Sequence, residues 1–209
     1  MKKIFIILIV SIAIFALAIG IVSWLSWQPQ SWYAPPDYSQ PEIKILADRS
    51  EYRLNEEFHK VRPVDDIWRI RITDESMNAW LSGRLEGWLT HDRDIELPPE
   101  LHGLQVHMTV EGIWLAAMVE FDSDSPRPIA LQLWAWIDEG NLFIEPIAIR
   151  LGKVPIPMSL FKSAISGLHE KTNEVEAIVP LMDDREVEIQ AITLENGALV
   201  LTCQTHLPK

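Results

Sequence analysis

Twenty-two consecutive residues near the amino terminus, Ile4 to Leu25, carry no charge, and they decide which kind of protein this chain can be. As an α-helix, the run would be about 33 Å long, which is enough to cross a hydrocarbon core of about 30 Å. Lys2 and Lys3 precede the run, and the next basic residue is Lys44. Because basic residues tend to stay on the cytoplasmic side, we expect a cytoplasmic amino terminus and a main domain outside the cytoplasm.

A cleaved signal peptide is the alternative explanation of the same segment. Ala16-Leu17-Ala18 has the small-x-small form that signal peptidase recognises. The apolar run nevertheless continues to Leu25, whereas the apolar part of a signal peptide usually spans only about 7–15 residues. We therefore favour an uncleaved, single-pass anchor in a cell membrane.

Charge and cysteine content indicate which partners and which cysteine chemistry to expect. The 209 residues carry a formal net charge of −12. Such a surface repels nucleic acid phosphates, so we expect no nucleic acid partner. The single cysteine, Cys203, excludes an intramolecular disulfide, and its apolar neighbours predict a buried strand residue rather than a nucleophile.

Composition divides the chain into three parts. Residues 1–27 form a cytoplasmic stub and the transmembrane anchor. Residues 28–41 contain four prolines among polar and aromatic residues. This composition predicts an extended stalk, because each proline removes a backbone donor and disfavours helix at the residue before it. Residues 42–209 are long enough for one exported domain with its own core.

A tryptophan-rich helix is predicted after a short strand. Residues 67–72 alternate between apolar and polar side chains, as in a strand. Thr73 can then cap a helix in which apolar residues recur at helical spacing. These residues are Met77, Trp80, Leu81, Leu85, Trp88 and Leu89. Packing must stabilise this helix, because Gly83 and Gly87 lower its intrinsic propensity.

Residues 104–151 change to the two-residue period of β-strands. Turn residues separate the strands, and Asp138-Glu139-Gly140-Asn141 is a strong hairpin signal. Two strands, residues 113–121 and 129–137, are apolar at nearly every position. An antiparallel sheet with one solvated face should alternate more cleanly. Both faces are therefore expected to be covered, or one face lines an apolar cavity.

The carboxyl-terminal part completes an α+β fold. A second amphipathic helix is predicted from Pro157 to about Lys171, followed by strands at residues 187–192 and 198–205. We expect an N-terminal transmembrane helix followed by a strongly curved antiparallel meander. This sheet would be packed on, or wrapped around, the two amphipathic helices.

Several common catalytic and cofactor motifs are missing from the sequence. The nucleophile elbow, the glycine-rich phosphate loops and the metal-binding helix motifs are all missing. His102 and His107 are five residues apart on a predicted strand, so they face opposite sides and make a poor metal site. We expect no enzyme activity, no cofactor and no metal. An envelope hydrolase would require acidic, histidine or serine residues that converge in a cleft.

Two short stretches carry a family resemblance. Residues 70–81 (IRITDESMNAWL) combine a strand, a threonine and a helix, and residues 151–157 (LGKVPIP) form a glycine–proline junction after the meander. Both are similar to the corresponding parts of the YpmS-like family of single-pass, membrane-anchored bacterial proteins. The resemblance implies a fold like that of the tubular lipid-binding proteins, in which a curved sheet encloses an apolar groove.

These observations lead us to expect non-catalytic binding of a lipid or another apolar ligand near the membrane. The candidate lining consists of Trp80, Leu81, Trp88, Trp114, Leu133, Trp134, Trp136, Phe161 and Ile165. The alternative is a tethered scaffold or protein-interaction module of the cell envelope that has no ligand. Such a module would dock a protein partner through exposed aromatic residues.

Overall fold

The chain begins with one long apolar helix. The computed structural model describes residues 2–63, 65–92, 97–120, 125–161, 175–181, 183 and 185–206. Its first element, α1, is a 25-residue helix at Lys2–Ser26. The part at Ile4–Ser26 is long and apolar enough to cross a membrane, and its most apolar stretch is not buried against the rest of the protein. The predicted anchor is therefore compatible with the structure.

Three further helices and one strand follow. They are α2 at Pro41–His59, β1 at Ile67–Thr73, α3 at Asp74–Gly83 and α4 at Leu85–Asp92. Thr73 caps α3 as predicted, because its hydroxyl oxygen accepts a hydrogen bond from Ser76 N at 3.3 Å. The single predicted helix is divided at Gly83, where the ring of Tyr38 occupies the space that a side chain would need.

The predicted meander forms one five-stranded antiparallel sheet. Its strands are β2 at Leu101–Thr109, β3 at Gly112–Val119, β4 at Arg127–Asp138, β5 at Asn141–Leu151 and β6 at Val154–Ile156, in that spatial order. The β4–β5 hairpin turns at Glu139 and Gly140, which both have positive φ (48° and 79°), as a tight hairpin of this length requires. Pro146 lies beside a bulge in β5, where Ile147 is the extra residue because Gln132 pairs with Ala148 and Leu133 pairs with Pro146.

A second, four-stranded antiparallel sheet joins the middle of the chain to its end. It contains β1 together with β7 at Ile178–Pro180, β8 at Glu186–Glu195 and β9 at Ala198–His206, in the order β1-β9-β8-β7. Its core consists of Trp68, Ile70, Leu181, Val187 and Cys203. The two sheets meet where Gly197 N donates a hydrogen bond to Met108 O at 2.8 Å.

The expectation of one strongly curved sheet is wrong. The strands are divided between two sheets, and neither sheet is closed or strongly curled. The physical reason is that β1, which precedes the meander in sequence, pairs with β9 and so belongs to the four-stranded sheet instead of extending the meander. The second predicted helix begins as a short 3₁₀ helix at Met158–Phe161. The rest of that predicted helix lies outside the described residues.

Candidate functional site

Helix α3 closes the free edge of strand β2. Asn78 is only 6% exposed, and its side-chain Nδ2 donates to Val106 O (2.9 Å) while its Oδ1 accepts from Val106 N (2.7 Å). One turn earlier, Asp74 Oδ1 accepts from Met108 N (2.9 Å), and its Oδ2 lies 2.8 Å from His107 Nδ1. Because an exposed edge would invite pairing with other chains, these contacts both protect β2 and fix α3 in place.

The proline-rich segment covers one face of the five-stranded sheet. We call residues 27–36 the crossing segment. Trp32 stacks on His107 with ring centroids 5.0 Å apart. Ala34 N donates to Gln105 Oε1 (2.7 Å), and Gln105 Nε2 donates to Trp32 O (3.3 Å). Tyr33 donates its hydroxyl to Gly103 O (2.7 Å). The segment thus lies on the sheet, where sequence alone predicts a stalk.

Several predicted lining residues lie on this sheet rather than around a cavity. Trp114 is 9% exposed and packs with Ala116 and Ala130 beneath Trp32 and Tyr33. One face of the doubly apolar strands is therefore filled by the chain itself.

The remaining predicted lining residues are scattered. Trp136 stacks on Phe143 (centroids 5.3 Å apart), Trp134 is 39% exposed, and Leu133 and Phe161 are half-buried. Ile165 lies outside the described residues.

An open groove of about 500 Å³ lies between α2, β1, α3 and α4. Its apolar lining consists of Leu46, Leu54, Ile70, Ile72, Met77, Trp80 and Trp88. Trp80 and Trp88 contact each other edge to face, with ring centroids 6.1 Å apart. Two of the nine predicted lining residues are thus in one site, while Leu81, next to Trp80, is half-buried and does not line the groove.

Cationic side chains accompany the apolar lining. Arg49, Arg53 and Arg71 all border the groove. Arg71 Nε pairs with Glu195 at 3.0 Å. Arg49 and Arg53 make no ion pair with any residue that the structure describes, whereas Glu51, also at the groove, lies 3.7 Å from Arg84. The α2 side of the groove therefore offers unpaired positive charge to an acidic group.

The outer edge of β1 forms one wall of the groove. Asp74 N donates to Gly197 O at 2.9 Å, and this pair continues the register of β1 with β9. Hydrogen-bonded and non-hydrogen-bonded pairs alternate in an antiparallel ladder. The backbone of Ile70 therefore bonds to β9, whereas the backbone N–H and C=O of Arg69 and Arg71 point away from the sheet. Within the described part of the chain, no strand pairs with this edge.

Sequence reasoning missed the α2 wall because that segment is highly charged. A usable signal is nevertheless present, since Leu46, Ser50 and Leu54 are spaced by four and line the groove from one helix face. Phe58 continues the same row and contacts Trp68, with ring centroids 5.6 Å apart.

Among the described residues, no histidine, cysteine or aspartate lines the groove. Among the residues described above, no three His, Cys, Asp or Glu side chains converge as a metal site. Cys203 is fully buried in the four-stranded sheet, and this burial raises the pKa of its thiol to about 11. A thiol in that state is a poor nucleophile.

Comparisons with known proteins found no relative of this chain. No family model, no curated protein and no solved structure matches the chain.

Proposed function

We propose that this protein is a single-pass membrane protein whose exported domain binds a lipid or another apolar ligand without catalysis. In this proposal α1 crosses the cell membrane with its amino terminus in the cytoplasm. We also propose that the protein is related to the YpmS-like family, because residues 70–81 and 151–157 resemble parts of it. The observation that carries it is the groove between α2, β1, α3 and α4, whose volume of about 500 Å³ lies within the range of small-molecule sites.

The lining of the groove suits an amphiphile with an acidic head group. Leu54, Ile72 and Trp80 can contact an alkyl chain, while Arg49 and Arg53 are available to an anion. Each methylene removed from water contributes about 0.8 kcal/mol, so about seven buried methylenes contribute about 6 kcal/mol. Charge-assisted hydrogen bonds from a guanidinium would add to this and would orient the ligand.

A pair of tryptophan substitutions on α2 tests the proposal. Leu54 lines the groove, so Leu54→Trp should fill it. Tyr52 is on the same helix, is 70% exposed and does not line the groove, so Tyr52→Trp is the matched control. Titration of the full chain with a fluorescent fatty acid should give saturable binding that Leu54→Trp weakens at least tenfold. Equal binding by both variants, or no saturable binding by the parent protein, would exclude this site.

The free edge of β1 favours a second candidate function, the tethered protein-interaction module. An extended segment of a partner can add to such an edge as a further strand, with its side chains in the adjacent pockets. Arg69 and Arg71 present the backbone groups that such a strand would need. Photo-crosslinking from position 53, beside the groove, distinguishes the two functions. A discrete protein adduct supports the interaction module, and a lipid adduct supports ligand binding.

A further inference from the structure

We infer that the β5–β6 turn and the 3₁₀ helix after it rest on the headgroup layer of the same membrane that α1 crosses. The contact surface consists of Lys153, Leu160 and the tryptophans at the end of α1. This inference rests on the proposed membrane crossing of α1, but not on ligand binding in the groove. The partner is the phospholipid surface on the exported side.

The β5–β6 turn is attached directly to the last turn of α1. Lys153 N donates to Leu25 O at 3.0 Å. Gln30 Nε2 donates to Gly152 O at 2.6 Å. Gly152 has a φ of +55°, and a Cβ at this position would lie 2.5 Å from the backbone oxygens of Leu25 and Ser26. Only a glycine fits so closely, so the turn cannot move far from the end of the helix without breaking these contacts.

Apolar side chains are exposed at the carboxyl-terminal end of α1. Trp24 is 62% exposed and Trp27 is 38% exposed. The 3₁₀ helix packs beside β5, and within it Leu160 is 72% exposed. Tryptophan is enriched at the headgroup layer, since its ring is apolar and its N–H is polar. The 3₁₀ helix follows β6, which is the last strand at this edge of the sheet, so a membrane surface along that edge would also remove Leu160 from water.

Basic side chains surround the same point, although the whole chain carries a charge of −12. The guanidinium of Arg127 lies 4.2 Å from the ring centroid of Trp27, and that of Arg150 lies 4.7 Å from the ring centroid of Trp114. Lys153 is exposed. None of the three cations forms an ion pair within the described ranges, so each can approach a lipid phosphate.

The consequence is a fixed orientation of the exported domain. The crossing segment runs over the sheet from Gln30, beside the β5–β6 turn, to Ala34, beside β2. It is therefore part of the folded domain rather than a free spacer. With the β5–β6 end on the membrane, β2 and α3 lie toward the opposite edge of the sheet, about 19 Å away across four strand spacings.

Single-cysteine labelling of the full chain tests this contact. Cys203 is fully buried, so a label should attach only to an introduced cysteine, and the parent protein checks this. Leu160→Cys reports on the proposed contact. Tyr52→Cys is the matched control, because Tyr52 is 70% exposed and lies on α2. Each variant carries an environment-sensitive fluorophore in vesicles of phosphatidylcholine and phosphatidylglycerol that contain a headgroup-region nitroxide lipid.

Quenching at position 160 should be several-fold stronger than at position 52, and Lys153→Ala should reduce it. Equal quenching at the two positions would overturn the inference. A third label, Phe15→Cys, separates the possible causes of failure. If a nitroxide deep in the acyl region quenches position 15 while position 160 is not quenched, α1 crosses the membrane but the contact is wrong. If position 15 is not quenched, the membrane crossing and this inference both fail.

Discussion

The substitution Asn78→Ala should strongly destabilise the exported domain. The Asn78 side chain bonds to both the N–H and the C=O of Val106 at the buried edge of β2. Alanine would leave both backbone groups without a partner, and each buried unsatisfied group costs about 1–3 kcal/mol. The expected loss is therefore about 2–6 kcal/mol. This is a large share of the roughly 5–15 kcal/mol that stabilises a typical domain.

Urea unfolding of the detergent-solubilised chain, followed by tryptophan fluorescence, measures this loss. Ser82→Ala is the matched control, because Ser82 Oγ on the same helix donates only to the nearby Ala79 O. A cost for Asn78→Ala no greater than for Ser82→Ala would refute the proposed role of Asn78 at the β2 edge.

The near-isosteric variant Asn78→Asp adds a pH dependence with a definite sign. A carboxylate cannot donate to Val106 O, and burial disfavours its charged form, so the pKa of the introduced carboxyl should rise above its unfolded value of about 3.9. A raised folded-state pKa means that stability is retained below pH 4 and lost as the pH rises toward neutrality. Relative to the parent protein, Asn78→Asp should therefore be less destabilising at pH 4 than at pH 7. A cost that does not change between these pH values would contradict the argument.

Three further comparisons give independent tests. Ile70→Pro should cost about 3–8 kcal/mol in urea unfolding, because it removes a bond to β9 and also truncates a side chain of the core. Arg71→Pro should cost much less, because its N–H points away from the sheet; equal costs would contradict the assignment of the free edge. Alkylation of Cys203 at pH 8 should be about 100-fold slower in the folded protein than in urea, since burial raises the pKa of its thiol to about 11; equally fast reaction would show that the site opens readily. Trp32→Ala should destabilise the domain by about 1–3 kcal/mol, and the exposed Trp134→Ala by less, unless the crossing segment is not packed on the sheet.

Local sequence patterns predicted the local elements of this fold. The two-residue period of the meander and the Asp138-Glu139-Gly140-Asn141 turn predicted β4, β5 and the hairpin between them. The Thr73 cap predicted the start of α3. These features depend on neighbouring residues, so one sequence is enough to find them.

The division into two sheets could not be predicted, because it depends on contacts between distant residues. Trp68 Nε1 donates to Thr205 Oγ1 across 137 positions, and no periodicity in β1 indicates that its partner is β9. The proline-rich segment was predicted to be extended, but proline content does not show which surface an extended segment lies on.

The candidate site could be predicted on only one side. Helical spacing placed Trp80 and Trp88 on one helix face, and they meet in the groove even though the helix is divided between them. The opposite wall comes from α2, where charged residues obscure the row formed by Leu46 and Leu54. The spacing of residues within one helix does not show which other helix that face packs against.

Native mass spectrometry tests the binding proposal most directly. The detergent-purified full chain, incubated with a total lipid extract, should retain an adduct of lipid mass. Tyr52→Trp should retain the same adduct, and Leu54→Trp should lose it. An adduct of equal intensity on all three proteins, or on none of them, would contradict ligand binding in the groove between α2, β1, α3 and α4.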